Sequence, residues 1–235
     1  MEFSEYQNYC LIDGVDTRTF GLLAISLPPL KTAKKRTTLM AVNGRSGTIR
    51  ITADDYENVD KQCVFWCFDA EKLDVARNAL ADAETVTFSN EPDYVYEIAD
   101  DTSADLLYLR NDNFQYPFLV NPLKREIEPA SFALVSGQTI VNTTNEPCYP
   151  SFDVGGTGSF EIVIGTQTVD VTDVDTSLTV DGELFEVYDD AGSANDRYTL
   201  SPATSAGFPV INPGEELAIT FNSDTLVVRP NWRWH

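Results

Sequence analysis

The side chains able to do chemistry are few in kind and poorly spaced for it. The one imidazole, His235, sits at the last position of the sequence, so a histidine-dependent triad has no base held inside a fold. Carboxylates are abundant, 37 Asp and Glu against 16 Lys and Arg. With so many, some pairs fall close together by chance, and closeness alone nominates no glycosidase pair. Asp189 and Asp190, in an extended segment, point to opposite faces. Asp170, Asp173, Asp175 and Asp181 hint at calcium, but their spacing departs from the EF-hand loop, which also needs a helix on each side. Gly155, Gly156, Thr157 and Gly158 precede a strand pattern, and no lysine follows; they fail as a phosphate loop and read as a hairpin loop. Cys10, Cys63, Cys67 and Cys148 form no paired framework, since in a strand Cys63 and Cys67 lie about 13 Å apart, beyond disulfide reach. They read as buried apolar thiols, and a zinc site would have to gather all of them from scattered positions. Asn142, Thr143 and Thr144 match a glycosylation acceptor, which carries no meaning without a secretory signal. No catalytic residue, cofactor site or metal site is expected, and the chain does not read as an enzyme.

The charge narrows the partners. A formal charge of −21 and an isoelectric point near 4.1 argue against a surface that grips nucleic acid, because neutralising phosphate needs clustered Lys and Arg. Anionic membranes are disfavoured for the same reason. From residue 131 onward three basic residues (Arg197, Arg229, Arg233) face fifteen acidic ones, with no lysine, which reads as a solvated surface. Residues 1–8 contain Glu2 and Glu5 and lack the cationic and apolar stretches of a secretory signal. The longest apolar run, residues 22–27, is interrupted by Ser26 and stopped by Pro28 and Pro29, too short to span a bilayer. The expectation is a soluble protein without a membrane anchor, made in cytoplasm.

The elements that must position these side chains are nearly all strands. The length suits one to two domains, and 43% hydrophobic residues can bury a core in each. Residues 9–12 and 19–26 read as strands around Asp13 and Gly14, a hairpin dipeptide followed by a longer loop. Lys31, Lys34, Lys35 and Arg36 form a basic cluster. Residues 37–42 and 48–52 read as strands around the turn Asn43, Gly44, Arg45, Ser46, Gly47, whose glycines supply positive φ. Residues 62–68 are apolar on both faces, as in a central strand. A helix follows, with Asp69 as N-cap, Glu71 in its first turn and an apolar stripe of Leu73, Ala76, Leu80 and Ala83. Further strands are expected at 85–88, 94–98, 106–109 and 118–120.

Pro122, Pro129 and the charged run Lys124, Arg125, Glu126 mark a boundary within residues 121–130, giving domains at 1–128 and 129–235. Beyond it Phe160, Ile162 and Ile164 alternate with polar neighbours, as do Phe185 and Val187 after the hairpin signal Asp181, Gly182. Asn212, Pro213 and Gly214 make the turn into a strand with Leu217, Ile219 and Phe221 on one face, and residues 225–229 form a last strand before Pro230, closing the chain on a sheet edge. With no helical stretch, the second half reads as an antiparallel sandwich.

Taken in order, Phe20, Gly21, Leu22, then Pro28 and Pro29, then Lys34, Lys35 and Arg36, then the turn Gly44, Arg45, Ser46, Gly47 ahead of the aromatic central strand and helix, give a first half that resembles the distal tail protein family of long, non-contractile phage tails. Ser46 stands where that family has Asp. The second half is similar to the family's galectin-like sandwich through Asn142, Pro150, the strand end Thr179, Val180, Asp181, then Val187 and Tyr188, Phe208 and Pro209, Pro213 and Gly214, and the finish Arg229, Pro230, Trp232. The resemblance covers nearly the whole chain.

The resemblance implies a mainly β protein, with an N-terminal β-sandwich or split-barrel-like domain bearing one α-helix and a C-terminal galectin-like antiparallel β-sandwich. It implies a structural virion protein of a siphophage, a baseplate hub at the distal end of the tail, made in the bacterial host cytoplasm. The N-terminal domains would form a homohexameric ring with the sandwiches outside it. That ring would join the tail tube protein to a tail-tip hub or tail-associated fibre or lysin protein, and could carry a receptor-binding protein for host attachment. DNA would pass through the lumen without specific binding, and acidic walls that repel phosphate suit such a channel. The alternative is a carbohydrate-binding β-sandwich module for host-surface attachment. Galectins read sugar through His, Asn, Arg and a stacking Trp, whereas here His235, Trp232 and Trp234 crowd one end, so the second half is expected to be a docking scaffold.

Overall fold

The computed structural model describes residues 8–44, 46–99, 107–108, 113–202 and 207–235. They form two compact units divided between Ile127 and Glu128, with His235 counted in the first. The fold is mainly β, built of antiparallel sheets.

In the first unit, β1 (Cys10–Ile12) and β2 (Val15–Asp16) make a tight hairpin. Its two turn residues are both left-handed, Asp13 at φ 49 and Gly14 at φ 76, the turn whose twist matches that of its strands. No longer loop is needed, and residues 19 and 20 are not strand. Thr17–Phe20 instead form a 3-10 turn, because the Asp16 carboxylate accepts a hydrogen bond from the Arg18 amide at 2.9 Å and so offers the backbone a local alternative to a ladder. Gly21 ends that turn at φ 83 and lies so close to the next segment that a Cβ would meet the Asp69 Cβ at 2.9 Å. Then come β3 (Leu22–Ser26), β4 (Lys35–Ala41), β5 (Thr48–Tyr56), β6 (Val59–Cys67), α1 (Leu73–Ala81), β7 (Thr85–Phe88), β8 (Tyr94–Glu97), β9 (Leu107–Tyr108), β10 (Asn113–Val120) and β11 (Lys124–Glu126).

One sheet runs β2-β1-β7-β8-β11, a second β3-β6-β10-β9, and β4 with β5 stands as a separate ribbon. β6 is central, as its two apolar faces require. Cys63 and Phe65 on one face are buried, while Val64 and Trp66 on the other are half-buried. Phe88 from the first sheet meets Phe118 from the second edge-on, ring centroids 5.8 Å apart, and Phe65 meets Phe118 at 6.5 Å, so aromatic rings join the two layers. The helix buries Ala76 and Leu80, and Ala83 follows them into the core. Asp69 caps the 3-10 turn Ala70–Lys72 that leads into the helix, accepting from the Glu71 amide at 3.3 Å.

Two expectations fail here for non-local reasons. β10 extends from residue 113, straight through Pro117. It pairs with β6 along its whole length, Pro117 lying opposite Gln62, and among the described residues with β9 at Phe114 and Gln115. The charged run Lys124, Arg125, Glu126, read as linker, is a strand: Arg125 pairs with Val95 and Glu126 with Tyr94. Residues 106 and 109, read as strand, lie outside the described residues, as does Arg45.

The second unit contains β12 (Phe132–Ala133), β13 (Gln138–Val141), β14 (Ser151–Gly155), β15 (Gly158–Ile164), β16 (Gln167–Val174), β17 (Ser177–Asp181), β18 (Glu186–Asp189), β19 (Gly192–Ser193), β20 (Tyr198–Ser201), β21 (Glu216–Phe221) and β22 (Thr225–Arg229). Two sheets, β12-β22-β14-β17-β18-β19 and β13-β21-β15-β16-β20, share a core that includes Phe152, Val154, Ile162, Ile164, Val180, Ile219 and Val228. β22 is not an edge, since β12 and β14 flank it. Phe185 is not in a strand; it sits in the turn before β18 at φ 55. The glycine run 155–158 is not a hairpin either. β14 pairs with β17 and β22, whereas β15 pairs with β16 and β21, so the run carries the chain from one sheet to the other. Gly156, at φ 139, passes so close to Phe160 that a Cβ would lie 2.6 Å from the ring.

Asn142 is fully buried. Its amide donates to the carbonyls of Glu146 at 3.0 Å and Ile211 at 2.9 Å, and its oxygen accepts from the Thr144 amide and hydroxyl, a structural clasp rather than an accessible acceptor. Cys10, Cys63 and Cys148 are buried and unbridged. Burial pushes the Cys148 thiol up to about 12 and those of Cys10 and Cys63 well above the usual range, which leaves them unreactive.

We propose that each unit is a folding domain. Ile127, Glu128 and Pro129 are exposed and outside any strand, so limited thermolysin digestion should cut there first and release a stable fragment of roughly a hundred residues. First cuts inside residues 160–221 would refute this.

Candidate assembly surface

The ribbon of β4 and β5 is the part of the first unit that its own packing leaves unfinished. Thr38 pairs with Ile51 and Met40 with Ile49, placing these four side chains on one face; Leu39 pairs with Arg50 on the other. Leu39 is 65% exposed, Met40 and Ile51 50% each, and Ile49 37%. Gly44 and Gly47 turn the ribbon at φ 82 and 88. An isolated two-stranded ribbon is marginal in water, and a contiguous exposed apolar stripe marks a surface meant to be covered. Lys34, Lys35, Arg36 and Arg50 add positive charge at the ribbon. The Arg36 to Asp55 pair, at 3.2 Å with both side chains more than half exposed, contributes little. The basic cluster was legible in the sequence; that no third strand joins the ribbon among the described residues was not.

A second feature had no local signal. Lys61 is 1% exposed, and its ammonium donates to Glu91 Oε2 at 2.9 Å and to the Tyr96 hydroxyl at 2.9 Å. Glu91 Oε1 takes the Lys124 ammonium. Burial works to raise the Glu91 carboxyl, but hydrogen bonds from Lys124, Tyr96 and Lys61 outweigh it and hold the group down at about 2. Burial pushes Lys61 below its ordinary value, and pairing with Glu91 restores only part of that. Burial and then Glu91 raise Tyr96 well above a usual phenol. Thirty residues separate Lys61 from Glu91, and 33 separate Glu91 from Lys124, so nothing in local spacing links them.

In the second unit each of the three arginines is paired with a carboxylate. Arg229 grips Asp153 with two bonds of 2.6 and 2.9 Å, and Thr179 donates to the same carboxylate at 3.0 Å. Arg197 holds Asp189 at 2.7 Å and Arg233 reaches Glu183 at 3.4 Å. Asp181 caps its own turn, accepting from the amides of Glu183 and Leu184. Among the described residues no group of three or more His, Cys, Asp or Glu gathers as a metal site, so Asp170, Asp173, Asp175 and Asp181 do not come together as one. Trp232 packs against the core of the second unit. Among the described residues no helix is long and apolar enough to cross a membrane.

No family model matches the sequence, and no curated protein matches it. Among solved structures the chain is similar to the crystal structure of SPP1 Dit (gp 19.1), described as a paradigm of the hub adsorption apparatus in phages infecting Gram-positive bacteria. The TM-score is 0.68 over 94% of this chain and 97% of that one, at 12% identity. Matching both chains almost end to end, the likeness establishes that this protein has the fold of Dit through both of its units.

Proposed function

We propose that the protein is a structural component of a phage tail tip, a distal tail hub that assembles into a ring. The observation that carries this reading is the fold shared with SPP1 Dit across nearly the full length of both chains, not over one sandwich alone. The ribbon supports it. An apolar stripe bordered by Lys35, Arg36 and Arg50 suits a second copy of a chain that carries −21, whose surface is acidic and complementary to it. In this reading six copies close a ring between the tail tube and the tail-tip protein, with DNA passing through unrecognised. The second unit is a docking scaffold for tail-tip or receptor-binding partners. Its three arginines are engaged by carboxylates and Trp232 by the core, so the groups a galectin-type sugar contact would use are already committed.

Native mass spectrometry tests the reading. A species of about six times the 26.1 kDa chain mass is expected, either alone or after co-expression with a tail-tip protein of the same phage, and gold-labelled antibody should mark the tail end of the virion. A strict monomer under both conditions, with label elsewhere or absent, would sink it.

A further inference from the structure

The first unit contains a cavity of about 180 Å³ whose lining includes Lys31, Thr32, Lys61, Glu91, Tyr96 and Lys124. Half of the chain's six lysines meet at this one space, in a protein of charge −21. Their charge is not balanced there. Lys61 and Lys124 share the single carboxylate of Glu91, and Lys31 donates to a neutral acceptor, the Asp60 carbonyl, at 3.0 Å. The charges acting on Lys61 are Glu91, which favours its ammonium form, and Lys124 and Lys31, which oppose it. Three lysine ammoniums facing one side-chain carboxylate among the described lining residues leave positive charge in excess. Lys61 is buried and Lys124 half-buried, so water screens their charges poorly, whereas Lys31 is exposed. Donors remain as well, since each ammonium carries three N–H groups and Lys61 uses two on protein partners, Lys124 and Lys31 one each.

We propose that this cavity is an oxyanion site, taking a phosphate or a carboxylate on Lys31, Lys61 and Lys124. An oxyanion is opposite in sign to the excess, and the volume is several times the ~30 Å³ share of a water molecule. Thr32 and Tyr96 line the same space. The site differs from the exposed ribbon, and its existence does not depend on the tail reading. Two sources offer this chemistry: a free ion, or a carboxylate from a second copy of this acidic chain.

Calorimetry and thermal unfolding of the dilute protein with sodium phosphate, against sodium chloride at equal ionic strength, test it. A saturable phosphate response with one site per chain is expected. Lys31→Ala should weaken that affinity by at least about tenfold, the loss of one charge-assisted hydrogen bond, and Lys31→Arg should restore much of it, with circular dichroism reporting that both variants fold. His235 also borders the cavity, and His235→Ala should keep the response. If the natural occupant is a neighbour's carboxylate, phosphate will in addition compete with assembly; if it is a free ion, phosphate will leave assembly unchanged or favour it. Equal stabilisation by phosphate and chloride, a response untouched by Lys31→Ala, or one abolished by His235→Ala would overturn the proposal.

Discussion

Replacing Met40, Ile49 and Ile51 together by glutamate is expected to yield a folded protein that no longer assembles. These side chains share one face of the ribbon and are 37 to 50% exposed within the chain, so the unit's own fold leaves a third to a half of each uncovered. Covering what remains exposed would contribute on the order of 1 kcal/mol per side chain. Losing three such terms raises the concentration needed for pairwise association by about a hundredfold, and a closed ring compounds the loss over every contact. Glutamate also sets negative charge against an acidic neighbour, adding repulsion to the lost burial. Light scattering should therefore report monomer where the parent protein assembles, with an unchanged far-ultraviolet spectrum. Arg50→Glu should act more weakly and mainly at low salt, because an exposed charge is screened beyond a Debye length of about 8 Å. A triple variant that assembles like the parent protein would remove the ribbon from the interface.

Glu91→Gln is expected to be the most destabilising single change in the first unit that alters no shape. It leaves Lys61 buried opposite a neutral amide, and breaking a buried pair from one side costs about 3–5 kcal/mol. The pH dependence identifies the cause. The folded-state carboxyl is held at about 2 against an ordinary 4.5, so it contributes about 3 kcal/mol that is fully present above pH 4.5 and is lost as the pH falls through about 2. Lys61 acts in the opposite sense. Its folded value lies below 10.5, so it returns part of that gain over most of the pH range below its own titration. Urea unfolding of parent and variant should thus differ most near neutral pH and converge toward pH 2. A gap that stays constant with pH would mean the loss is one of packing and not of charge.

What the sequence reveals about this fold is what neighbours alone can encode. Ile162 and Ile164 on β15, Ile219 on β21, and Ala76 and Leu80 on the helix bury as their spacing requires, because period two or period 3.6 needs no distant partner. β22 also ends where Pro230 forbids continuation. The errors share a different origin. Whether Pro117 can sit inside a strand depends on the strands beside it, β6 among them, and whether Lys124 to Glu126 is linker or strand depends on β8. The glycine run 155–158 looks like any hairpin until β14 and β15 are seen to belong to different sheets. The cluster of Lys61, Glu91, Tyr96 and Lys124 was missed for the same reason, and only an unexplained lysine inside the apolar β6 could have pointed to it. For the ribbon, the basic cluster and glycine turn were visible, whereas its lack of a third strand among the described residues is a property of the whole sheet arrangement.

The pairing of β14 with β22 ties together residues 76 apart, as between Asp153 and Arg229. During synthesis β14 therefore emerges long before its partner, while β1 through β11 have all appeared by residue 126. Each unit has such a wait, β1 for β7 (Cys10 with Phe88) as β14 for β22, but the first is over once residue 126 is made and the second only after residue 229. In that interval β14 presents an unpaired apolar edge that a strand of another nascent chain can fill as well as β22 can. In the ring proposed above, copies of the chain would be crowded together, and this order of folding would let partners be recognised through the early unit while the late one is still finding its last strands.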